Sequence, residues 1–207
     1  MVMIVGTCKL ERVIHVDNDS KTADDSQLIA QARNDPAAFV QLYRRHYDVV
    51  FRYCVHRLFE RQTAQDVTSA VFLSVVENFS RFRGGEQQFR NWLYKITTNA
   101  VNNHLRQAAR RNVLLKRACE QVNNQDSTDV SAEKLALLRE AVLTLRPRYQ
   151  TIITLRFFEN LKLTEIAEVL GCGAGTVRSQ LARALAKMRK LLATEFTEKS
   201  EVIENEQ

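Results

Sequence analysis

Glycine and proline are scarce, six and two in 207 residues. Strand bends and tight hairpins draw on both, so their rarity disfavours a sheet-rich fold. No segment keeps up a period-two alternation, and no sheet is expected. No window approaches the ~20 apolar residues of a membrane-spanning helix. The opening MVMIVGTCKLERVIHV is apolar for five residues only and shows no basic leader or cleavage site, so it is not read as a signal peptide. The expected location is the cytoplasm, without membrane insertion.

Metal and catalytic signatures are also lacking. Cys8, Cys54, Cys119 and Cys172 stand singly, which suits reduced thiols. Cys54 and His56 form a C-x-H pair with no second pair nearby, and His15, His46 and His104 add no ligand spacing. There is no Gly-rich phosphate loop, no H-E-x-x-H and no nucleophile–base pair. No enzyme activity, metal or cofactor is expected. Cys172 precedes a helix start, where a thiol pKa can fall. A small residue filling a turn is the preferred reading over a redox sensor there.

What is present is a helix-turn-helix pattern across Leu161–Lys190. A first helix, about Leu163–Leu170, puts Ile166, Ala167 and Leu170 on one face. Gly171 stands where a helix end needs positive φ. Cys172–Ala174 make the turn, and Gly175 or Thr176 opens the second helix. There Val177, Leu181, Ala184, Leu185 and Met188 form one apolar stripe. Thr176, Ser179, Arg183, Lys187 and Lys190 lie opposite, with Gln180 flanking them. Such groups contact phosphates or base edges when a second helix enters the major groove. A solvated basic face is the plainer alternative, but Ala167, Gly171 and Val177 let two helices cross closely.

Charge is laid out in blocks. Ser26–Arg111 holds 13 Lys and Arg against six Asp and Glu, and Glu133–Ala193 holds 11 against five. Met1–Asp25, Asn112–Ala132 and Thr194–Gln207 are neutral to acidic. The layout suggests two polyanion-facing modules on a flexible linker. Met1–Asp25 is uninformative: a short strand, an extra helical turn or an upstream extension all fit, and its polar end reads as a flexible lead-in.

Helices fill both blocks. Asp25 or Ser26 can cap one that turns Leu28, Ile29 and Ala32 inward. Asp35-Pro36 starts a long helix to about Phe59, with Phe39, Leu42, Tyr43, Tyr47, Val50, Phe51, Cys54, Val55 and Leu58 recurring at three and four. Thr63–Asn78 comes next, with Val67, Val71, Val75 and Phe79 in i, i+4 steps and Phe72 and Val76 beside them. A polar connector, Ser80–Gln88, leads to a helix over about Phe89–Arg110 that turns Trp92, Leu93, Ile96, Ala100 and Leu105 inward. After the linker, Glu133–Leu145 is helical. Arg146-Pro147 breaks it, and Tyr149–Asn160 forms another helix burying Ile152, Ile153, Leu155 and Phe158. The acidic tail after Ala193 is expected to fray.

Three stretches carry a family resemblance: DSQLIAQARNDPAAFVQLYRRHYDVVFRYC, QDVTSAVFLSVVENFSRFRGGEQQFRNWLYKITTNAVNNHLRQAARR and LRPRYQTIITLRFFENLKLTEIAEVLGCGAGTVRSQLARALAKMRK. In order and spacing the chain resembles a bacterial RNA polymerase sigma factor of the extracytoplasmic-function (ECF) type. The resemblance implies an all-α fold of two small helical domains joined by a flexible linker: a region 2-like bundle over 26–111 and a region 4-like helix-turn-helix over 133–193. It implies core RNA polymerase and promoter DNA as partners, with an anti-sigma factor as a further candidate. Asp66, Ser69, Ala70, Phe72 and Leu73 would meet polymerase. Arg81, Phe82, Arg83, Asn91, Lys95, Arg106 and Arg110 would hold the melted −10 element, with Ser80–Gln88 forming a pocket for an extruded base. Trp92 and Phe89 are assigned to the core beneath. Thr176, Arg178, Ser179, Gln180, Arg183 and Lys187 would read the −35 element. The linker would thread the polymerase interior, a plain spacer being the alternative.

Several positions depart from the family pattern. Its clamp-binding Asp-x-x-Gln-Glu-x-Phe reads Asp66-Val-Thr-Ser69-Ala70-Val-Phe72 here. A usual Asp is Asn103, close to Arg106. Lys162 precedes Glu165 where a Ser would complete a capping box, an expected loss of about 1 kcal/mol. A common recognition-helix Arg is Gln180, which shifts the base preference. The runner-up reading is a conventional helix-turn-helix regulator. It would need an upstream sensing domain, usually with strands, where Ser26–Arg111 reads as helical.

Overall fold

The computed structural model describes residues 25–116 and 139–204, and the side chains within 25–111 and 139–193. The expectations for the lead-in, most of the linker and the tail's side chains lie outside the described residues. Helix and turn make up the described residues, with no strand among them.

The first half holds four helices: α1 Asp25–Gln31, α2 Pro36–Leu58, α3 Arg61–Phe79 and α4 Glu86–Lys116. Local chemistry sets their ends. Asp35 Oδ1 accepts the Ala37 N–H at 2.8 Å, and Pro36 fills the first turn of α2. Phe59 closes α2 in the left-handed region at φ 56°. Glu60 caps α3, accepting the N–H groups of Gln62 at 2.8 Å and Thr63 at 2.7 Å. That cap starts α3 two residues before the apolar pattern does. Asp25 is a tertiary residue: it is buried in the first turn of α1 and its carboxylate pairs with Arg45 and His46 of α2.

In the second half a helical segment is described over 139–143, succeeded by α5 Pro147–Ile153, α6 Leu163–Leu170 and α7 Ala174–Glu204. The expected single helix from Tyr149 to Asn160 is corrected. After Ile153 the backbone widens into a π-helical turn, Thr154–Phe158, in which the Glu159 N–H reaches back to Thr154 O at 3.2 Å. The extra residue changes the rotation of the chain beyond it. Glu159 turns inward, and Phe158, expected in the core, is 41% exposed. Gly171 ends α6 at φ 63°, and the Cys172 N–H bonds Ala167 O at 2.9 Å, a Schellman closure. The missing capping box is half present: Glu165 Oε2 accepts the Lys162 N–H at 2.6 Å, which needs no hydroxyl at Lys162.

Helices α2, α3 and α4 pack together with α1 across α2, while α5 and α6 pack on α7. The halves also meet: α6 lies on α4 and the π turn on α2. One apolar cluster therefore runs from Ile29, Leu42 and Val71 to Leu155, Leu161 and Ile166. A smaller one, Leu145, Ile153 and Ala184, seals the base of the helix-turn-helix. Two residues expected inward are corrected: Tyr43 is partly exposed, and Val76 is 54% exposed.

Candidate nucleic-acid interface

The connector between α3 and α4 is cross-braced by hydrogen bonds. Arg33 Nη2 donates to Phe82 O at 3.3 Å, and Arg83 Nη1 donates to Ser80 O at 2.6 Å and Phe82 O at 2.8 Å. Gln88 Oε1 accepts the Gly85 N–H at 3.1 Å. Gly84 adopts φ 144°, and a Cβ there would lie 2.7 Å from Gln88 Cβ, so both backbone and space require glycine.

This loop walls a cleft of about 430 Å³. Its floor is aromatic. The Phe82 ring lies 5.0 Å from Trp92, 5.6 Å edge-on from Phe89 and 6.4 Å stacked from Phe79. Exposed Arg81 and Lys95 stand at its rim with the Asn91 amide inside. A flat π surface, a buried amide and surrounding cations suit an unstacked base on a phosphate backbone. Phe82, expected among the −10 contacts, is 7% exposed and lies at the floor of the cleft. Phe89 is buried, as expected, but Trp92 is half-buried and lines the cleft. Arg106 and Arg110 continue the cationic face down α4. The Arg106 guanidinium is steered by Asn103 Oδ1 and by Asn102 O at 3.3 Å.

In the helix-turn-helix, Val177 and Ala184 are sealed against α5 and α6, which fixes the outward face of α7. Thr176, Arg178, Ser179, Arg183 and Lys187 are exposed along it. Gln180 is half-buried and accepts from Arg148 Nε at 2.8 Å, so Arg148 joins this face from α5. Lys187 Nζ reaches Thr144 O at 3.5 Å.

A third surface lies on α3. Asp66, Ser69, Ala70 and Leu73 form one exposed stripe, with Leu73 62% exposed. Val76 and, from α2, Val40 and Tyr43 are also exposed. Phe72 is corrected to a support. It is buried, with its ring 4.7 Å from Tyr43 and 6.1 Å from Tyr47. Exposed apolar residues in such number on one helix pair mark a contact surface.

Between the halves runs a polar seam that no motif signalled. Glu159 is enclosed and accepts from Tyr94 Oη at 2.8 Å and Arg52 Nη2 at 3.2 Å. Burial raises the Glu159 carboxyl above its usual range, against the pull of Arg52. Burial, then the Arg52 charge, draws His56 down to about 4. Arg57, buried in α2, donates to Gln150 Oε1 at 2.6 Å and Asn102 Oδ1 at 3.1 Å. Farther along, Glu165 Oε1 accepts from Arg90 Nη2 at 2.6 Å and Gln87 Nε2 at 2.9 Å, and Glu168 accepts from Asn91.

Residues 42–111 match the Sigma-70 region 2 family and residues 135–188 match Sigma-70 region 4. A helical bundle followed by a helix-turn-helix, matching those two families in order, thus defines a sigma-70-type transcription factor. The chain is 32% identical over 180 residues to the ECF RNA polymerase sigma factor BldN of Streptomyces coelicolor, covering 84% of this chain and 68% of that one. It is 31% identical over 181 residues to the RNA polymerase sigma-H factor of Pseudomonas aeruginosa, covering 81% and 93%. The chain belongs to the ECF RNA polymerase sigma factors. The fold is shared with CnrH, solved in complex with the cytosolic domain of CnrY, at TM-score 0.62 and 23% identity over 82% of this chain and 97% of that one. It is shared also with the sigma factor RpoE of Bartonella quintana, solved with the anti-sigma factor NepR, at TM-score 0.58 and 20% identity over 75% and 96%.

Proposed function

We propose that three surfaces divide the work of promoter-directed initiation in this chain. As a sigma factor it binds core RNA polymerase and directs transcription from promoters. The cleft between the α3–α4 connector and α4 takes a base of the melted −10 strand, with Phe82 and Trp92 beneath it and Arg81 and Lys95 on its phosphates. The exposed face of α7 reads the −35 duplex, where Arg178 and Arg183 supply the fork geometry that guanine edges or phosphates accept. The α3 stripe at Asp66, Ser69, Ala70 and Leu73 docks on polymerase. The role is recognition in the cytoplasm, with polymerase supplying the chemistry, and an anti-sigma factor is a further partner.

The observation that carries this reading is the aromatic-floored cleft with Arg81, Arg83 and Lys95 on its lining, a surface that a regulator reading duplex DNA alone does not need. Transcription with purified core polymerase, coupled to sequencing of RNA 5′ ends, tests it. Defined start sites that depend on the chain are expected, and their absence would overturn it.

A further inference from the structure

Helix α5 fixes a cation beside the outward face of α7. Tyr149 packs against the cluster of Leu145, Ile153 and Ala184, and Gln150 Nε2 donates to Leu143 O at 3.1 Å and Leu145 O at 3.0 Å. With the start of α5 held in this way, exposed Arg148 reaches Gln180, one turn before Ala184 on α7, and its Nε donates to Gln180 Oε1 at 2.8 Å. A guanidinium has donors only, so the amide atom turned to Arg148 is the oxygen, and the orientation of Gln180 is fixed by chemistry. The partner is a neutral amide, and among the described residues Arg148 has no ion pair, so its charge stays available. Gln180 Nε2 and both Nη groups of Arg148 have no hydrogen-bond partner among the described residues. The pair thus has donors left to give and its one acceptor engaged.

A glutamine with a free amide reads adenine through two bonds, its oxygen accepting from N6 and its nitrogen donating to N7. Here the oxygen is taken, and an adenine amino group approaching it would meet the guanidinium alongside, donor against donor. Guanine presents O6 and N7, two acceptors, to the same donors. We propose that Arg148 sets the base preference of Gln180, withholding it from adenine and committing its amide to guanine in the −35 duplex. The inference rests on the function proposed for the face of α7. Arg148 is a positioning residue in this scheme, placed on α5 outside the helix-turn-helix segment Leu161–Lys190. Its surroundings suit the approach of a duplex. Lys187, two turns along the same flank, lies with Nζ 3.5 Å from Thr144 O just ahead of α5, so the cationic flank runs from α5 onto α7.

The test uses the full chain assembled with core RNA polymerase and promoter duplexes randomised through the −35 element, with the bound duplexes sequenced. The wild-type chain is expected to enrich guanine over adenine about tenfold at one position, and Gln180→Ala to flatten that position alone. Arg148→Ala frees Gln180 Oε1, so adenine is expected to gain there, lowering the ratio about fivefold or more while neighbouring positions keep their preferences. Arg148 is exposed, so its removal leaves the fold in place, which the unfolding midpoint checks. A loss of binding shared equally by all sequences would overturn the proposal and leave Arg148 as a phosphate contact, and an unchanged profile would overturn it outright. A second measurement needs no DNA. The Arg148 Nε–H resonance of the free chain, assigned by its loss in Arg148→Ala, is expected to exchange with water more slowly than in Gln180→Ala. Equal exchange in the two would remove the pair and the proposal with it. If the wild-type chain enriches no −35 sequence while this protection still depends on Gln180, the function proposed for α7 has failed and the base preference falls with it, although the Arg148–Gln180 contact stands.

Discussion

His56 carries a stability cost that depends on pH. Its folded pKa, about 4, lies below the ordinary 6.5. Between those values the unfolded chain binds a proton that the folded chain refuses, so stability falls as pH drops through the window and is unaffected above it. The Glu159 carboxyl acts in the opposite sense: its raised pKa favours the folded state on acidification and loses that benefit as pH rises. A difference measurement isolates the histidine. Relative to His56→Asn, the wild-type chain should lose up to about 3 kcal/mol between pH 6.5 and 4, read from urea unfolding across that range. Residue-scale recognition is tested at Arg183, exposed on α7. Arg183→Ala should weaken binding of the −35 duplex by about 1–3 kcal/mol with relaxed discrimination if the side chain reads a base, and uniformly across sequences if it holds phosphate. Fluorescence anisotropy with matched and scrambled duplexes distinguishes the two. The exposure of Arg183 and Lys187 on α7 was legible from helical spacing alone. The burial of Phe82 was not legible, because an aromatic in a polar connector gives no sign of which way it folds. Gln180 is half-buried because Arg148, 32 positions earlier, lies against it, and no local pattern reports that.

Among the elements, two glycines make opposite demands. At Gly171 a Cβ would meet nothing within 4 Å, so only the left-handed backbone resists substitution. Gly171→Ala should cost about 1 kcal/mol in thermal unfolding and leave DNA binding as it was. At Gly84 a Cβ would collide with Gln88, so Gly84→Ala should cost more and also weaken oligonucleotide binding at the cleft. The exposed stripe on α3 makes a third case. Leu73 is so exposed that Leu73→Asp should leave the unfolding midpoint within a degree or two, yet weaken binding to core polymerase about tenfold or more in a titration. Helix starts were largely readable, since Asp35-Pro36 and Arg146-Pro147 declare themselves. Glu60 does not: glutamate is an unusual cap, and α3 begins two residues earlier than its valines suggest. The π turn was hidden because TLRFFEN fits an ordinary helical period, and only the burial of Glu159 shows the extra residue. Tyr43 and Val76 fit the apolar stripe, but periodicity marks an apolar face without saying whether the chain or a partner covers it.

For the whole molecule, the blocks of charge and the helix-turn-helix anticipated two all-helical bodies. Their mutual packing was not anticipated. Glu159, Glu165 and Glu168 look like a minor acidic presence in a basic block, and their partners on α4 and α2 lie 65 to 107 positions away. Contacts at that separation leave no periodic trace. Helix α6 thus has two allegiances. It braces α7, and through Glu168 it also lines the cleft beside α4. On the function proposed for the two faces, a promoter bearing both elements offers two footholds to one chain, and the first contact raises the effective concentration of the second. Promoter occupancy should therefore rise more steeply with the presence of the second element than either element's own affinity would suggest, which binding to one-element and two-element duplexes measures.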